Sequence, residues 1–175
     1  MYNSSIKNAW YPVTLAEKLK INIPLSVQLF GEPLVLFRDK DTKPICLQDR
    51  CPHRSTPLSL GKVNDGSLEC LYHGWQFGKL GKCLKIPSQS FNINISKKCD
   101  AYHKRCMEKY GVIWVWADGE EEVDKELFWY EQLNLIEDQN YYYILYDCDI
   151  NLGHELIVEN LLDPAHLPFA HHGTL

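Results

Sequence analysis

Cys51-Pro52-His53-Arg54 and Cys70-Leu71-Tyr72-His73-Gly74-Trp75 decide how this chain is read. Each stretch sets one thiol and one imidazole two or three residues apart, and sixteen residues separate His53 from Cys70. Two thiolates and two imidazoles suit a tetrahedral zinc ion. They equally suit a two-iron, two-sulfur cluster with cysteines on one iron and histidines on the other. The distribution of the donors favours the cluster. Structural zinc modules generally gather Cys with Cys and His with His at separate knuckles, whereas a binuclear cluster clasped between two loops needs one donor of each kind from each loop. Cys51, His53, Cys70 and His73 are distributed in that second way. A zinc site, or four residues with no shared role, stand as the alternatives.

Around these loops the chain reads as short β-rich runs broken by Gly, Pro, Asn and Asp: Leu25 to Phe30, Leu34 to Arg38, Ile45 to Gln48, Leu68 to Tyr72 and Val112 to Trp116. That rhythm predicts an antiparallel sandwich or barrel rather than βαβ units. Asn64-Asp65-Gly66 is a hairpin signal, and Gly78 to Gly81 separates two further runs. After Asp118 an acidic stretch, Glu120 to Glu126, reads as a solvated linker. Beyond it Tyr141 to Cys148 is expected as a strand, and Asn151 as the cap of a helix running to Leu162. The fold class expected is therefore mostly β, with a β-sandwich domain over residues 5–118. Residues 119–175 hold a linker and too little material for a separate core, so they read as the start of a second domain that is cut off.

Composition narrows the classes. The chain has 175 residues, 45% apolar and 23% charged, with a net charge of −5, so a packed core is expected and no basic stripe for a phosphate backbone exists. Nucleic acid is not an expected partner. The longest apolar run, Val112 to Ala117, is far short of the roughly 18 residues a spanning helix needs. Residues 1–8 have neither a signal core nor transit-peptide character, which predicts a cytoplasmic protein. Seven cysteines, an odd number, argue against a disulfide framework. Those outside the two loops, Cys46, Cys83, Cys99, Cys106 and Cys148, read as small buried apolar residues.

A second constellation runs Asn160-Leu161-Leu162-Asp163-Pro164-Ala165-His166-Leu167-Pro168-Phe169-Ala170-His171-His172-Gly173. Histidines five apart do not share a face of an unbroken α-helix, but Pro168 breaks it and would let His166 and His171 converge on one ion. Asp163 before Pro164 is equally an ordinary helix cap followed by a first-turn proline. His172, His103 and His154 are assigned to surface or core.

The two cluster loops resemble those of the Rieske family. Thr56 and Tyr72 stand where the Rieske proteins of respiratory complexes carry a second pair of cysteines, and Trp75 stands where those carry a serine. With fewer hydrogen bonds to the sulfurs, the potential is expected near the low end of the Rieske range, around −150 mV. Such a cluster suits an electron donor to oxygen chemistry. The second constellation resembles the iron-binding segment of the Rieske non-haem oxygenases. By that resemblance His166 and His171 hold a mononuclear Fe(II), Asp163 is the acidic relay between cluster and iron, and Asn160 lies near the iron. The third ligand, a carboxylate, comes from far downstream in the family, so the iron site is expected to be incomplete in this chain.

The resemblance runs from Trp10-Tyr11-Pro12-Val13 through Leu29 to Val35, Gly81-Lys82-Cys83 and Gly111 to Trp116, and within the oxygenases Trp10 to Val13, His73-Gly74-Trp75 and the stretch from Asp163 to Gly173 resemble the pheophorbide a and chlorophyllide a oxygenase group. It implies a terminal oxygenase component that uses O2 to hydroxylate an organic ring, with a tetrapyrrole as one candidate. A ferredoxin or flavin reductase is the implied electron donor, and a homotrimer the implied assembly. A bacterial or cyanobacterial cytoplasm, with peripheral membrane association as a variant, is the expected location. The alternative is a stand-alone Rieske-type electron carrier.

Overall fold

The computed structural model describes residues 8–89, 94–117, 138 and 140–173. Eleven strands form three antiparallel sheets among them. The first sheet joins β1 (Trp10–Leu15), β11 (Val112–Trp116) and β10 (Cys106–Lys109) in that order. The second orders β2 (Leu25–Leu29), β3 (Glu32–Arg38), β4 (Pro44–Gln48) and β9 (His103–Lys104). The third orders β5 (Lys62–Asn64), β6 (Ser67–Glu69), β7 (Gln76–Phe77) and β8 (Cys83–Lys85).

The alternation of β3 explains the layering. Its side chains point by turns to opposite faces, yet Leu34, Val35, Leu36 and Phe37 are all fully buried, so both faces of the second sheet must be covered. Val35 and Phe37 pack with Ile45, Leu47, Val63, Leu68 and Phe77, against the third sheet. Leu34 and Leu36 pack with Cys46, Ile113 and Val115, against the first. The Cys51 and Cys70 side chains belong to the core between the second and third sheets. Arg38 ties the layers together, its guanidinium donating to the carbonyls of Leu19 (2.8 Å) and Ala16 (3.0 Å) and to Glu108 (2.6 Å).

The expected antiparallel β class is found, and the Asn64-Asp65-Gly66 hairpin forms with Asn64 opposite Ser67 and with φ of 45° and 70° at its two central residues. Several boundaries differ from expectation for physical reasons. Phe30 leaves the strand because it and Gly31, both at positive φ, make the two-residue turn that pairs Leu29 with Glu32. The expected run Leu68 to Tyr72 stops at Glu69, because Cys70 opens a loop closed by its own hydrogen bonds. Tyr141 to Cys148 is not a strand: its side chains are largely exposed and it joins no ladder among the described strands, whatever its aromatic and β-branched composition. Asn151 caps no helix; helix α1 is His154–Leu162, begins three residues later and has Gly153 at its cap. Cys148 is exposed rather than buried, and Cys99 and Cys106 are half-buried. The acidic run and the expected boundary at residues 118 and 119 lie outside the described residues.

Two compact units are distinguished, residues 1–145 and 146–175. In the second, α1 is followed by a 3-10 turn at Pro164–His166 and a short helix α2 at Leu167–Ala170. No helix among the described residues is long and apolar enough to cross a membrane.

Candidate metal centre

The two loops that carry the candidate ligands share one hydrogen-bond plan. In the first, the Cys51 N–H donates to the Thr56 carbonyl (2.8 Å) and the Ser55 N–H donates to the Cys51 carbonyl (2.8 Å). In the second, the Cys70 N–H donates to the Trp75 carbonyl (2.8 Å) and the Gly74 N–H to the Cys70 carbonyl (3.0 Å). Each loop is thus a closed finger of six residues. Its fifth residue takes positive φ, 58° at Ser55 and 69° at Gly74. The first finger emerges from β4 and the second from β6, so the sheets that sandwich the core bring the two tips together.

Asp49 braces the base of the first finger. Its carboxylate, 9% exposed, accepts from the Ser59 N–H (2.7 Å) and the Ser59 hydroxyl (2.6 Å), joining the residues that flank the loop. Nothing in the sequence pattern marked Asp49 for this; an Asp shortly before a Cys loop and a Ser shortly after it are too common to signal a clamp.

The four candidate donors divide by depth. The Cys51 and Cys70 residues are 2% exposed and their thiols interact with each other, whereas His53 and His73 lie at the surface with ring centroids 4.6 Å apart. Burial pushes the Cys51 thiol up to about 11 and the Cys70 thiol adds to this, while the backbone N–H groups of His53 and Arg54 pull it down. Those N–H groups stabilise a thiolate there, as a metal-bound sulfur requires. The His53 imidazole is held below its ordinary range, chiefly by desolvation and then by His73 and Arg54, which favours the neutral, ligating form. A zinc ion would draw all four donors to one centre, whereas thiols inside and imidazoles outside suit two metal atoms at different depths. The donor set fits the binuclear cluster.

Two aromatic rings flank the imidazoles. Trp75 lies parallel to His53, with 4° between planes and 4.7 Å between centroids, and Tyr72 lies against His73 at 3.9 Å. The sequence marked Trp75 only as part of a motif and gave no sign that it crosses to the other finger.

In the unit of residues 146–175, the His166 and His171 rings are brought to 5.4 Å, because the helical path breaks at the Pro164–His166 turn and ends before His171. The His166 Nδ1 faces the Asp163 carbonyl, which can only accept, so the neutral ring carries its proton on Nδ1 and presents the Nε2 lone pair, 3.5 Å from the Asn160 amide nitrogen. The Asp163 carboxylate accepts from the Ala165 N–H (3.0 Å), the plain capping role. His172 and His103 are exposed, and His154 pairs with Glu155 at 3.2 Å.

A comparison with known families matches the Rieske [2Fe-2S] domain over residues 9–97. The chain belongs to the Rieske family. Among curated relatives it is 40% identical over 171 residues to chlorophyllide a oxygenase of Chlamydomonas reinhardtii, covering 97% of this chain and 25% of the relative. It is 37% identical over 166 residues to protein TIC 55 of pea, covering 94% and 30%. Pheophorbide a oxygenase of Arabidopsis thaliana is 34% identical over 183 residues, with 95% and 32% covered. Among solved structures, dicamba monooxygenase bound to dicamba superposes with a TM-score of 0.83 at 28% identity, over 95% of this chain and 48% of that one. The Rieske chain therefore spans about a third or less of these curated relatives.

The expectation of a bacterial cytoplasm is corrected by these relatives, which are chloroplast proteins of plants and an alga. The expectation rested on residues 1–8, and where about 30% of a relative's length is covered those residues carry no information about targeting.

Proposed function

We propose that this Rieske chain is the electron-delivering part of a terminal oxygenase component, with residues 5–118 as the cluster domain and 119–175 as a linker and the beginning of a mononuclear-iron catalytic domain. The observation that carries this reading is the depth division at the two fingers: Cys51 and Cys70 would hold the inner iron, His53 and His73 the outer one. His166 and His171 would hold a mononuclear Fe(II), its carboxylate ligand being sought in the part of the relatives that residues 1–175 do not span. When bound, the cluster supplies single electrons at low potential and the mononuclear iron supplies the site where O2 is activated.

The chain's own residues prepare these sites. The backbone N–H groups of His53 and Arg54 favour the Cys51 thiolate. The Asp163 carbonyl fixes the His166 tautomer so that Nε2 is the ligating atom, and Asn160 lines the same position. In a homotrimer the Asp163 carboxylate would link an iron-ligand imidazole to a cluster imidazole of the next subunit. A ferredoxin or flavin reductase is the proposed electron source. The substrate class is an organic ring, with a tetrapyrrole suggested by relatives named for chlorophyllide a and pheophorbide a.

The test uses the full-length protein, chemically reduced ferredoxin and a panel of tetrapyrroles. Substrate-dependent O2 consumption is expected, with His166→Ala abolishing product while leaving the cluster spectrum intact. Reduction of the cluster without any O2-dependent product from the unaltered protein would replace this reading with that of an electron carrier.

A further inference from the structure

We infer that Trp75 is a positioning residue that clasps the two fingers to each other by stacking on His53, and thereby sets the environment of the outer metal position. The inference rests on the assignment of His53 as a cluster ligand.

Three observations carry it. First, Trp75 belongs to the second finger, its carbonyl closing that loop against the Cys70 N–H, but its ring lies on the imidazole of the first finger with planes 4° apart. Second, the ring is anchored: Trp75 is half-buried and packs against the core cluster that includes Phe37, Leu68 and Phe77, whereas His53 is exposed on its loop. The indole is the fixed partner and the imidazole the one being held. Third, no hydrogen bond orients that ring, whose other contact is the edge of the His73 imidazole at 4.6 Å between centroids. Among the described residues neither ring nitrogen of His53 is hydrogen-bonded, although a ligating histidine is ordinarily oriented by the bond its second nitrogen makes. All seven cysteines are free, so no disulfide ties the fingers.

A flat aromatic stack leaves the imidazole edge open to a metal while covering one face. It excludes water from that face and fixes the ring angle, both of which shift the potential of a metal bound there. Removing the indole admits water to His53, and water stabilises the more negative reduced form, so the potential should rise.

The experiment prepares the unaltered chain, Trp75→Met, Trp75→Phe and Phe77→Leu. It records the reduced-state EPR spectrum, the midpoint potential and the rate of cluster loss to a chelator. Phe77→Leu loosens the same core without touching His53. Trp75→Met should raise the potential beyond the scatter of repeats, shift the g values and speed cluster loss roughly three- to tenfold, the factor expected from one lost aromatic stack. Trp75→Phe should fall between it and the parent, and Phe77→Leu should lower thermal stability while leaving g values and potential in place. If Trp75→Met does not fold, the comparison of Trp75→Phe with Phe77→Leu decides. Equal potentials and g values in Trp75→Phe and the parent would overturn the inference, as would a Phe77→Leu shift as large as that of Trp75→Met. Absence of any cluster signal from the unaltered chain would instead sink the ligand assignment beneath it.

Discussion

Replacing Asp49 by leucine should loosen the first finger and with it the site. The carboxylate is 9% exposed and accepts two short bonds, from the Ser59 N–H at 2.7 Å and the Ser59 hydroxyl at 2.6 Å. Leucine keeps the branched shape but is larger and offers no acceptor, so two donors in a part-buried position lose a charged partner. A hydrogen bond to a charged group contributes about 1.5–3 kcal/mol, and water reaching the half-exposed Ser59 recovers part of it, which leaves a loss of about 2–4 kcal/mol for the pair. Ser59→Ala removes only the hydroxyl bond and should cost about 1–2 kcal/mol, because the backbone N–H still reaches the carboxylate. Urea unfolding measures both, and a loss of about 3 kcal/mol lowers the midpoint by roughly 1–2 M at ordinary slopes. The double variant should lose about 1–2 kcal/mol less than the sum of the singles, since both remove the same bond. A midpoint for Asp49→Leu indistinguishable from the parent, or strict additivity in the double variant, refutes the clamp.

Three further outcomes follow from the same geometry. Gly81→Ala should not reach the native state: a Cβ there would sit 1.9 Å from the Ala101 carbonyl oxygen, a backbone atom already held by the Ala101 N–H bond to Gly81, and φ is 71° besides. Soluble Gly81→Ala protein with parental circular dichroism counts against the packing described. Glu69 is held below its ordinary value near 4.5, first by the Gln76 side-chain amide and then by Lys62 and Asn64. Its folded state binds the proton less readily than the unfolded chain, so its contribution is present above that ordinary value and drains away as pH falls through the folded one. Stability of the parent should therefore drop more steeply than that of Glu69→Gln on acidification below about pH 5, and parallel curves would remove Glu69 from the account. Arg38→Met should destabilise by about 3 kcal/mol through the orphaned carbonyls of Ala16 and Leu19, whereas Glu108→Gln, at a side chain 38% exposed, should cost less than about 1 kcal/mol in the same urea assay.

Much of this was legible in the residues. Four donors in two loops are a sparse pattern that chance seldom supplies, and the hairpin at Asn64 to Ser67 is written in turn chemistry that few other conformations accept. The antiparallel class followed from short apolar runs punctuated by turn residues. What stayed hidden depends on partners distant in sequence. The stack of Trp75 on His53 joins residues 22 apart, and the bond of Asp49 to Ser59 spans a whole finger. The Tyr141 to Cys148 run has strand composition and still forms none, because composition reports what a pleated surface would accept and not whether a neighbouring strand is there. Likewise Asn151 is a good cap by type, but the helix starts where Gly153 lets it. Compartment was misread because it was taken from eight residues at one end of the chain.

The central claim is that Cys51, His53, Cys70 and His73 hold two iron atoms bridged by sulfide at the meeting of two fingers. Anaerobic purification of the chain followed by metal and acid-labile sulfide analysis, with EPR after dithionite reduction, tests it most directly. About two irons and two sulfides per chain are predicted, with a rhombic signal whose average g lies below the free-electron value and which vanishes in Cys51→Ser. One zinc per chain with no labile sulfide and no reduced-state signal would contradict the account.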